Sequence, residues 1–313
     1  MAERIMTLHP QTQVHSTRGV IMRAGPNLLL LSFLVAANLT CSQNSEEYTE
    51  KTPNDKAVVW IDGPSGKLCT YSAGAGGLPV VFVHSLAGDW QQWLAQIHHV
   101  SESRQAIAFD MRGHGKSVCN PGLDYSVGAQ ASDLAAVVDY YGLEKLVLVG
   151  NSFGGSVCAA YASENPGKVA AILFVNPVGD QRKAPQEQVQ QFMQMVTSDR
   201  YEDVMHDYWS QILRNSEEDV KTRVISSMEA TQREAVVGAF ESMRQFDIVS
   251  ALAGFDGPMT SVITDLNDTP HSLHNVLTNL PFRRVPGTSH WLHMDQPDAF
   301  NEMLDAFLEK YEL

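Results

Sequence analysis

The chain has 313 residues, 44% of them hydrophobic, and its 36 acidic and 22 basic side chains give a formal charge of −14. That apolar content supports one large core or two smaller ones, and it excludes a disordered chain, a disulfide-stapled miniprotein and a collagen-like fibre. The acidic balance repels phosphate backbones and anionic lipid surfaces, so no nucleic-acid partner is expected and the expected substrate is a small, neutral molecule.

The first feature in chain order is residues 28–37, LLLLSFLVAA, an apolar run broken only by Ser32 and preceded by Arg23. Ten residues fall short of the roughly 20 that a helix needs to cross hydrocarbon. A basic start followed by a short apolar middle describes a secretory signal instead. Residues 1–21 lack that pattern, whereas translation from Met22 gives the short start MRAGPN. The run leads to Cys41 and SQNSEE, which resembles a bacterial lipoprotein signal that is cleaved to leave a lipidated cysteine, although Asn38-Leu39-Thr40 departs from the usual small residues. Residues 1–40 are therefore expected to be a signal peptide and the polar residues 41–56 a tether. The expected location is the periplasm or the outer membrane, with membrane contact only through a lipid on Cys41. Soluble secretion after Ala37 is the alternative, and an uncleaved anchor ranks third.

Four cysteines, Cys41, Cys69, Cys119 and Cys158, are too few and too scattered for a disulfide framework or a paired zinc site, so no metal is expected. In an oxidising compartment Cys69 and Cys119 could pair, but the sequence alone does not show whether they lie close enough. Cys158, six residues after Ser152 on an expected buried helix, reads as core packing.

From residue 57 onward, short β-rich runs alternate with helical periodicity, the pattern of an α/β protein with a mostly parallel sheet. Eight strands are expected: 57–62, 67–73, 79–84, 105–110, 145–150, 170–176, 259–264 and 282–286. The first two flank GPSG and should form an antiparallel hairpin. The middle runs are continuously apolar, as buried parallel strands are. Helices are expected to begin near Trp90, to carry Leu134, Val137, Val138 and Tyr141, and to close the chain through Phe300, Met303, Leu304, Phe307 and Tyr311. Residues 181–250 break the alternation. They are amphipathic, strand-poor and hold Met193, Met195, Met205, Met228 and Met243, which reads as a helical cap over the strand ends. The methionines are either adaptable pocket lining or ordinary cap core. The catalytic domain is then 57–180 with 251–313.

The strongest chemical signal is Gly150-Asn151-Ser152-Phe153-Gly154-Gly155, placed between the strand KLVLV and the helical run SVCAAYASENP. A serine hydroxyl becomes a useful nucleophile when a tight strand-to-helix turn holds it beside a base, and flanking glycines permit that turn. A base must reach it from another loop on the same sheet edge. His290, in VPGTSHW, fits, with His293 as its rival. The third member should be a carboxylate that fixes the histidine tautomer. Asp268, in DLNDTP after the strand MTSVIT, is preferred, with Asp265 and Asp180 as alternatives. The oxyanion hole needs two backbone N–H groups, expected from Phe153 and from Leu86 in HSLAGD.

VFVHSLAGDWQQW, FDMRGHGKS, VGNSFGG and VPGTSHWLHMDQP together make residues 57–312 resemble a serine member of the α/β-hydrolase superfamily with a helical cap. The resemblance implies the α/β-hydrolase fold and the serine-acid-histidine chain order; no cofactor is expected, because the sequence has no phosphate-cradling glycine loop and no ligand cluster. Ser85 departs from the glycine that relatives carry after the first histidine. Asp110, Arg112 and His114 read as loop-holding residues, and His114 is disfavoured as the base. A serine nucleophile disfavours carbon-halogen and epoxide cleavage, for which relatives use aspartate. Hydrolysis of a small neutral carboxylic ester is the leading expectation, with C–C bond hydrolysis, lactone hydrolysis or perhydrolysis on the same residues as alternatives. C–C bond substrates carry a carboxylate that would want one of Arg182, Arg200, Arg214, Arg223, Arg233 or Arg244. A slow-turnover ligand receptor is the non-enzymatic alternative, and a structural surface lipoprotein ranks behind it.

Overall fold

The alternation of apolar runs in the sequence becomes one eight-stranded sheet in the computed structural model, which describes residues 57–118, 120 and 122–313. The strands are β1 (Ala57–Gly63), β2 (Gly66–Ala73), β3 (Val80–Val83), β4 (Ala106–Phe109), β5 (Leu146–Asn151), β6 (Val169–Val175), β7 (Met259–Ile263) and β8 (Phe282–Arg284). Their order across the sheet is β1-β2-β4-β3-β5-β6-β7-β8. β1 and β2 form the hairpin around Pro64-Ser65, β2 runs antiparallel to β4, and all other pairs are parallel.

Parallel neighbours require long crossovers, and helices supply most of them. In chain order they are α1 (Leu94–Val100), α2 (Val127–Tyr140), α3 (Phe153–Glu164), α4 (Gln186–Val196), α5 (Tyr201–Ile212), α6 (Glu218–Ala230), α7 (Arg233–Met243), α8 (Ile248–Leu252), α9 (Leu273–Val276), α10 (Leu292–Asp295) and α11 (Pro297–Lys310). A 3-10 turn at Trp90–Trp93 leads into α1.

The central strands bury both faces, which explains why they read as unbroken apolar runs. Val81, Val83, Leu146 and Leu148 face a core shared with α2, α3 and α8. Val80, Phe82, Val147 and Val149 face a second core with α1 and α11, built on Ile97, Phe300, Leu304 and Phe307. Each such side chain, fully buried, contributes about 1.5–3 kcal/mol. Between β6 and β7 the chain forms α4 to α8 and no strand, and Met205, Trp209 and Val224 of this block join the first core. Among the described residues no helix is long and apolar enough to cross a membrane. The segments read as signal, Cys41 and tether lie outside the described residues.

Candidate active site

The glycines around Ser152 let the chain leave β5 and enter α3 without a spacer. Ser152 sits at φ 53° and ψ −116°, a conformation that costs a non-glycine residue on the order of 1–3 kcal/mol. Its N–H donates to the Val175 carbonyl at 2.9 Å, and its carbonyl accepts from Gly155 N at 3.0 Å. A Cβ at Gly150 would stand 2.7 Å from the Gly154 carbonyl oxygen, so only glycine permits this crossing. Phe153 opens α3, where first-turn N–H groups have no intrahelical acceptor. On the neighbouring strand end, the four residues from Ser85 to Gly88 close a turn through Gly88 N and the Ser85 carbonyl at 3.1 Å, with Ala87 at φ 57°. Leu86 is in that turn.

Ser85 is buried and bonded on two sides. Its Oγ donates to Gln92 Oε1 and accepts from Trp291 Nε1, both at 3.0 Å. The hydroxyl thereby ties the loop after β3 to the residue beside His290. FDMRGHGKS lies behind this loop as a set of braces. Asp110 accepts from the Trp90 and Lys116 N–H groups at 2.8 and 2.7 Å, Arg112 grips Asp133 through two bonds, and His114 Nδ1 lies 2.9 Å from the Arg112 carbonyl. Burial pushes the His114 imidazole down to about 3 and the Asp110 carboxyl up to about 7.

His290 lies in the loop after β8. Its N–H donates to the Ile212 carbonyl at the end of α5 at 3.1 Å, and its carbonyl accepts from Asn176 Nδ2 at 2.9 Å. Ser152, Leu86 and His290 all line one cavity of about 390 Å³. Burial pushes the His290 imidazole down to about 4, and no neighbouring carboxylate raises it. His293 is fully buried behind it, stacked on Trp93 with ring centres 4.0 Å apart, and does not line the cavity.

The structure does not bring the expected carboxylate to His290. Its Nδ1 lies 3.0 Å from Oδ1 of Asn267, the residue before Asp268. Asp268 turns instead to the Arg284 guanidinium on β8, to His274 Nε2 at 3.0 Å and to Asn275 Nδ2 at 3.1 Å. Arg284 and then His274 hold its carboxyl down at about 2, and these charge-assisted bonds keep it away from the cavity. Asp265 also bonds Arg284, at 3.2 Å, and is exposed. Asp180 is buried against Arg182, with both carboxylate oxygens engaged at 2.8 and 2.9 Å. None of the three acids named from the sequence contacts His290.

The rest of the cavity wall is mostly apolar. Val189, Phe192, Tyr208, Trp209, Phe240 and Met243 contribute from α4, α5 and α7, and Trp291 from the His290 loop. Phe192, Tyr208 and Phe240 pack with ring centres 5.0 to 6.2 Å apart. The methionines divide: Met193 and Met243 line the cavity, Met205 and Met228 are core, and Met195 is exposed. Of the six arginines in or beside this block, Arg244 alone lines the cavity, and it is bonded to Glu241 through Nε and one Nη. Arg182 is held by Asp180 and Asp247, Arg223 by Asp89, and Arg233 by the Ser198 carbonyl.

A family model described as alpha/beta hydrolase fold matches residues 79–254, more than half of the chain. The chain belongs to that family. The hydrolase is 26% identical to the sn-1-specific diacylglycerol lipase ABHD11 of Mus musculus, over 73% of this chain and 80% of that protein. Two further relatives match over shorter stretches. A dihydrolipoyllysine-residue acetyltransferase component of the acetoin cleaving system of Cupriavidus necator is 36% identical over 34% of this chain and 28% of its own length. A 2-hydroxy-6-oxo-2,4-heptadienoate hydrolase of Pseudomonas putida is 35% identical over 35% of this chain and 40% of its own length. Among solved structures, a thermophilic esterase from Thermogutta terrifontis superposes with a TM-score of 0.68 at 22% identity, covering 84% of this chain and 100% of the esterase. The lipase, the hydrolase and the esterase among these relatives place the chain with hydrolytic enzymes.

Two residues whose side chains bond His290 escape a reading of the sequence. Asn267 hides between two aspartates in a loop scanned for carboxylates. Asn176 ends the strand AAILFVN, and its side chain joins three loops, donating to the His290 carbonyl and accepting from Thr264 N at 2.8 Å. Cys69 and Cys158 of the hydrolase carry free, buried thiols, both pushed up by burial, while Cys119 lies outside the described residues. Among the described residues no three His, Cys, Asp or Glu side chains stand together as metal ligands.

Proposed function

We propose that the protein hydrolyses a small, neutral carboxylic ester through an acyl-enzyme formed on Ser152. The observation that carries this reading is the strained Ser152 turn opening into the same apolar cavity as His290. In the first half-reaction Ser152 Oγ bonds to the ester carbonyl carbon while its proton passes to His290 Nε2. The carbonyl π pair moves onto oxygen, where the Leu86 and Phe153 N–H groups receive it. The intermediate collapses, the C–O bond to the alcohol breaks, and His290 returns the proton to the leaving oxygen. Water repeats the sequence on the acyl-enzyme and frees the acid.

A neutral substrate is favoured because the arginine at the cavity wall is already bonded to Glu241 and the other lining is largely aromatic and aliphatic. A C–C bond substrate bearing a carboxylate would have to displace Glu241 from Arg244. A lactone is a cyclic neutral ester and falls within the same reading. We also propose that residues 1–40 direct export and that Cys41 carries the lipid anchor.

The test is hydrolysis of p-nitrophenyl esters from acetate to decanoate by the wild type and Ser152→Ala, with fluorophosphonate labelling. The expected result is turnover, a label on Ser152, and a loss of several orders of magnitude in folded Ser152→Ala. Retained turnover in that variant refutes the nucleophile. Labelling without turnover refutes the ester substrate.

A further inference from the structure

A histidine base must keep its proton on one ring nitrogen so that the other offers a lone pair to the nucleophile. Asn267 Nδ2 lies 3.2 Å from the Asn176 carbonyl oxygen and 3.3 Å from the Pro177 carbonyl oxygen. Carbonyl oxygens only accept, so the amide NH₂ must face them and Oδ1 must face His290. Oδ1 also only accepts, so the His290 nitrogen 3.0 Å away carries the hydrogen. Nδ1 is therefore N–H and Nε2 keeps its lone pair. The backbone on either side is fixed by Asn176, which holds the His290 carbonyl and the Thr264 N–H together.

We infer that Asn267 is the positioning residue for His290, so that the catalytic constellation is Ser152-His290-Asn267 with a neutral amide in the place usually given to a carboxylate. The inference rests on the reading of Ser152 and His290 as nucleophile and base. The same geometry disfavours aspartate at 267. A carboxylate there would point an oxygen, with no hydrogen to share, at the two carbonyls that now receive the NH₂ group. The three nearby aspartates are each bound elsewhere, so none replaces the amide. An amide fixes the tautomer but adds no full charge to stabilise the imidazolium, so turnover keeps its activity further into acid than a carboxylate-supported histidine would.

The experiment compares kcat/KM against pH for the wild type, Asn267→Ala, Asn267→Asp and Asp268→Asn, on whichever p-nitrophenyl ester the wild type turns over best, with folding checked by circular dichroism. Asn267→Ala should lose about 10- to 100-fold in kcat/KM, while Asp268→Asn stays within threefold. Asn267→Asp should move the acidic limb upward by at least one pH unit, because a carboxylate beside the ring favours the imidazolium. In parallel, ¹⁵N NMR of the unmodified protein should report His290 protonated at Nδ1 and bare at Nε2 at neutral pH. A folded Asn267→Ala with unchanged kcat/KM and an unchanged acidic limb overturns the inference. So does a 100-fold loss in Asp268→Asn, or an Nε2–H tautomer, which is read without any variant. Turnover surviving Ser152→Ala would fail the nucleophile reading instead, and the tautomer measurement stands apart from activity.

Discussion

Replacing Gly154 with alanine tests the serine turn through both stability and catalysis. A Cβ at this position would stand 2.6 Å from the His84 carbonyl oxygen and closer still to that of Val83. Both obstacles are backbone of the β3 end, so neither can rotate aside, and α3 must separate from β3 by roughly 0.8–1.0 Å to reach ordinary contact. Overpacking of this kind costs about 1–3 kcal/mol, and an obstacle made of backbone puts Gly154→Ala at the upper end. Urea unfolding followed by tryptophan fluorescence should show a midpoint lowered by about 1 M with an unchanged slope. The shift also moves the Ser85–Gly88 turn away from α3, separating Leu86 N–H from Phe153 N–H. Misplacement on the 1 Å scale can cost on the order of 100-fold, so kcat/KM should fall at least about tenfold. Gly128→Ala is the control. Gly128 lies in α2 with open space at its Cβ position, and alanine there should add up to about 1 kcal/mol through helix propensity. A Gly154→Ala protein with wild-type midpoint and wild-type kcat/KM would refute the reasoning.

Stability should depend on pH through the buried histidines. Burial pushes His84, His114, His290 and His293 down to between about 3 and about 4, so the folded state releases protons that the unfolded chain binds below about 6.5. Their contribution is full above pH 6.5 and is lost as pH falls through 4. Asp110 works in the opposite sense, since a carboxyl raised to about 7 favours the folded state at low pH and loses that contribution as pH rises through 7. The Tm should fall steeply between pH 6.5 and 4.5, and a flat Tm across that range would refute the account. Cys41→Ser should move the protein from the membrane to the soluble fraction on cell fractionation, and an unchanged distribution would count against the anchor.

The strands and the Ser152 turn are legible because their physics is local. A buried parallel strand must be apolar at every position, as LVLV and ILFV are, and a strand-to-helix turn must carry small residues where backbones cross. The place of His290 is legible because its loop must lie at the strand ends. The residue that its ring meets is not, because that contact depends on three-dimensional competition for charge. Asp268 reads as the nearest acid in the loop, but only the structure shows its carboxylate on Arg284 and His274, and nothing in DLNDTP shows that the next residue back faces two backbone carbonyls. Ser85 is similar. As a departure from glycine it says little until Trp291 and Gln92 are found on its hydroxyl.

The bonds that cross from α5, α6 and the turn between them to the loops beneath bear on how this architecture diversifies. Ile212 O holds the His290 backbone, Asn215 Nδ2 donates to the Thr288 carbonyl at 3.1 Å, and Arg223 with Ser227 clasps Asp89. Grafting the insert of a relative onto this sheet would therefore do more than change which substrates fit. Unless the graft retains the α5 terminus and the Arg223-Ser227 pair, it also removes part of the scaffold under the chemistry. Residues of α4 and α7, which line the cavity without bonding those loops, are where specificity can drift while the reaction stays intact.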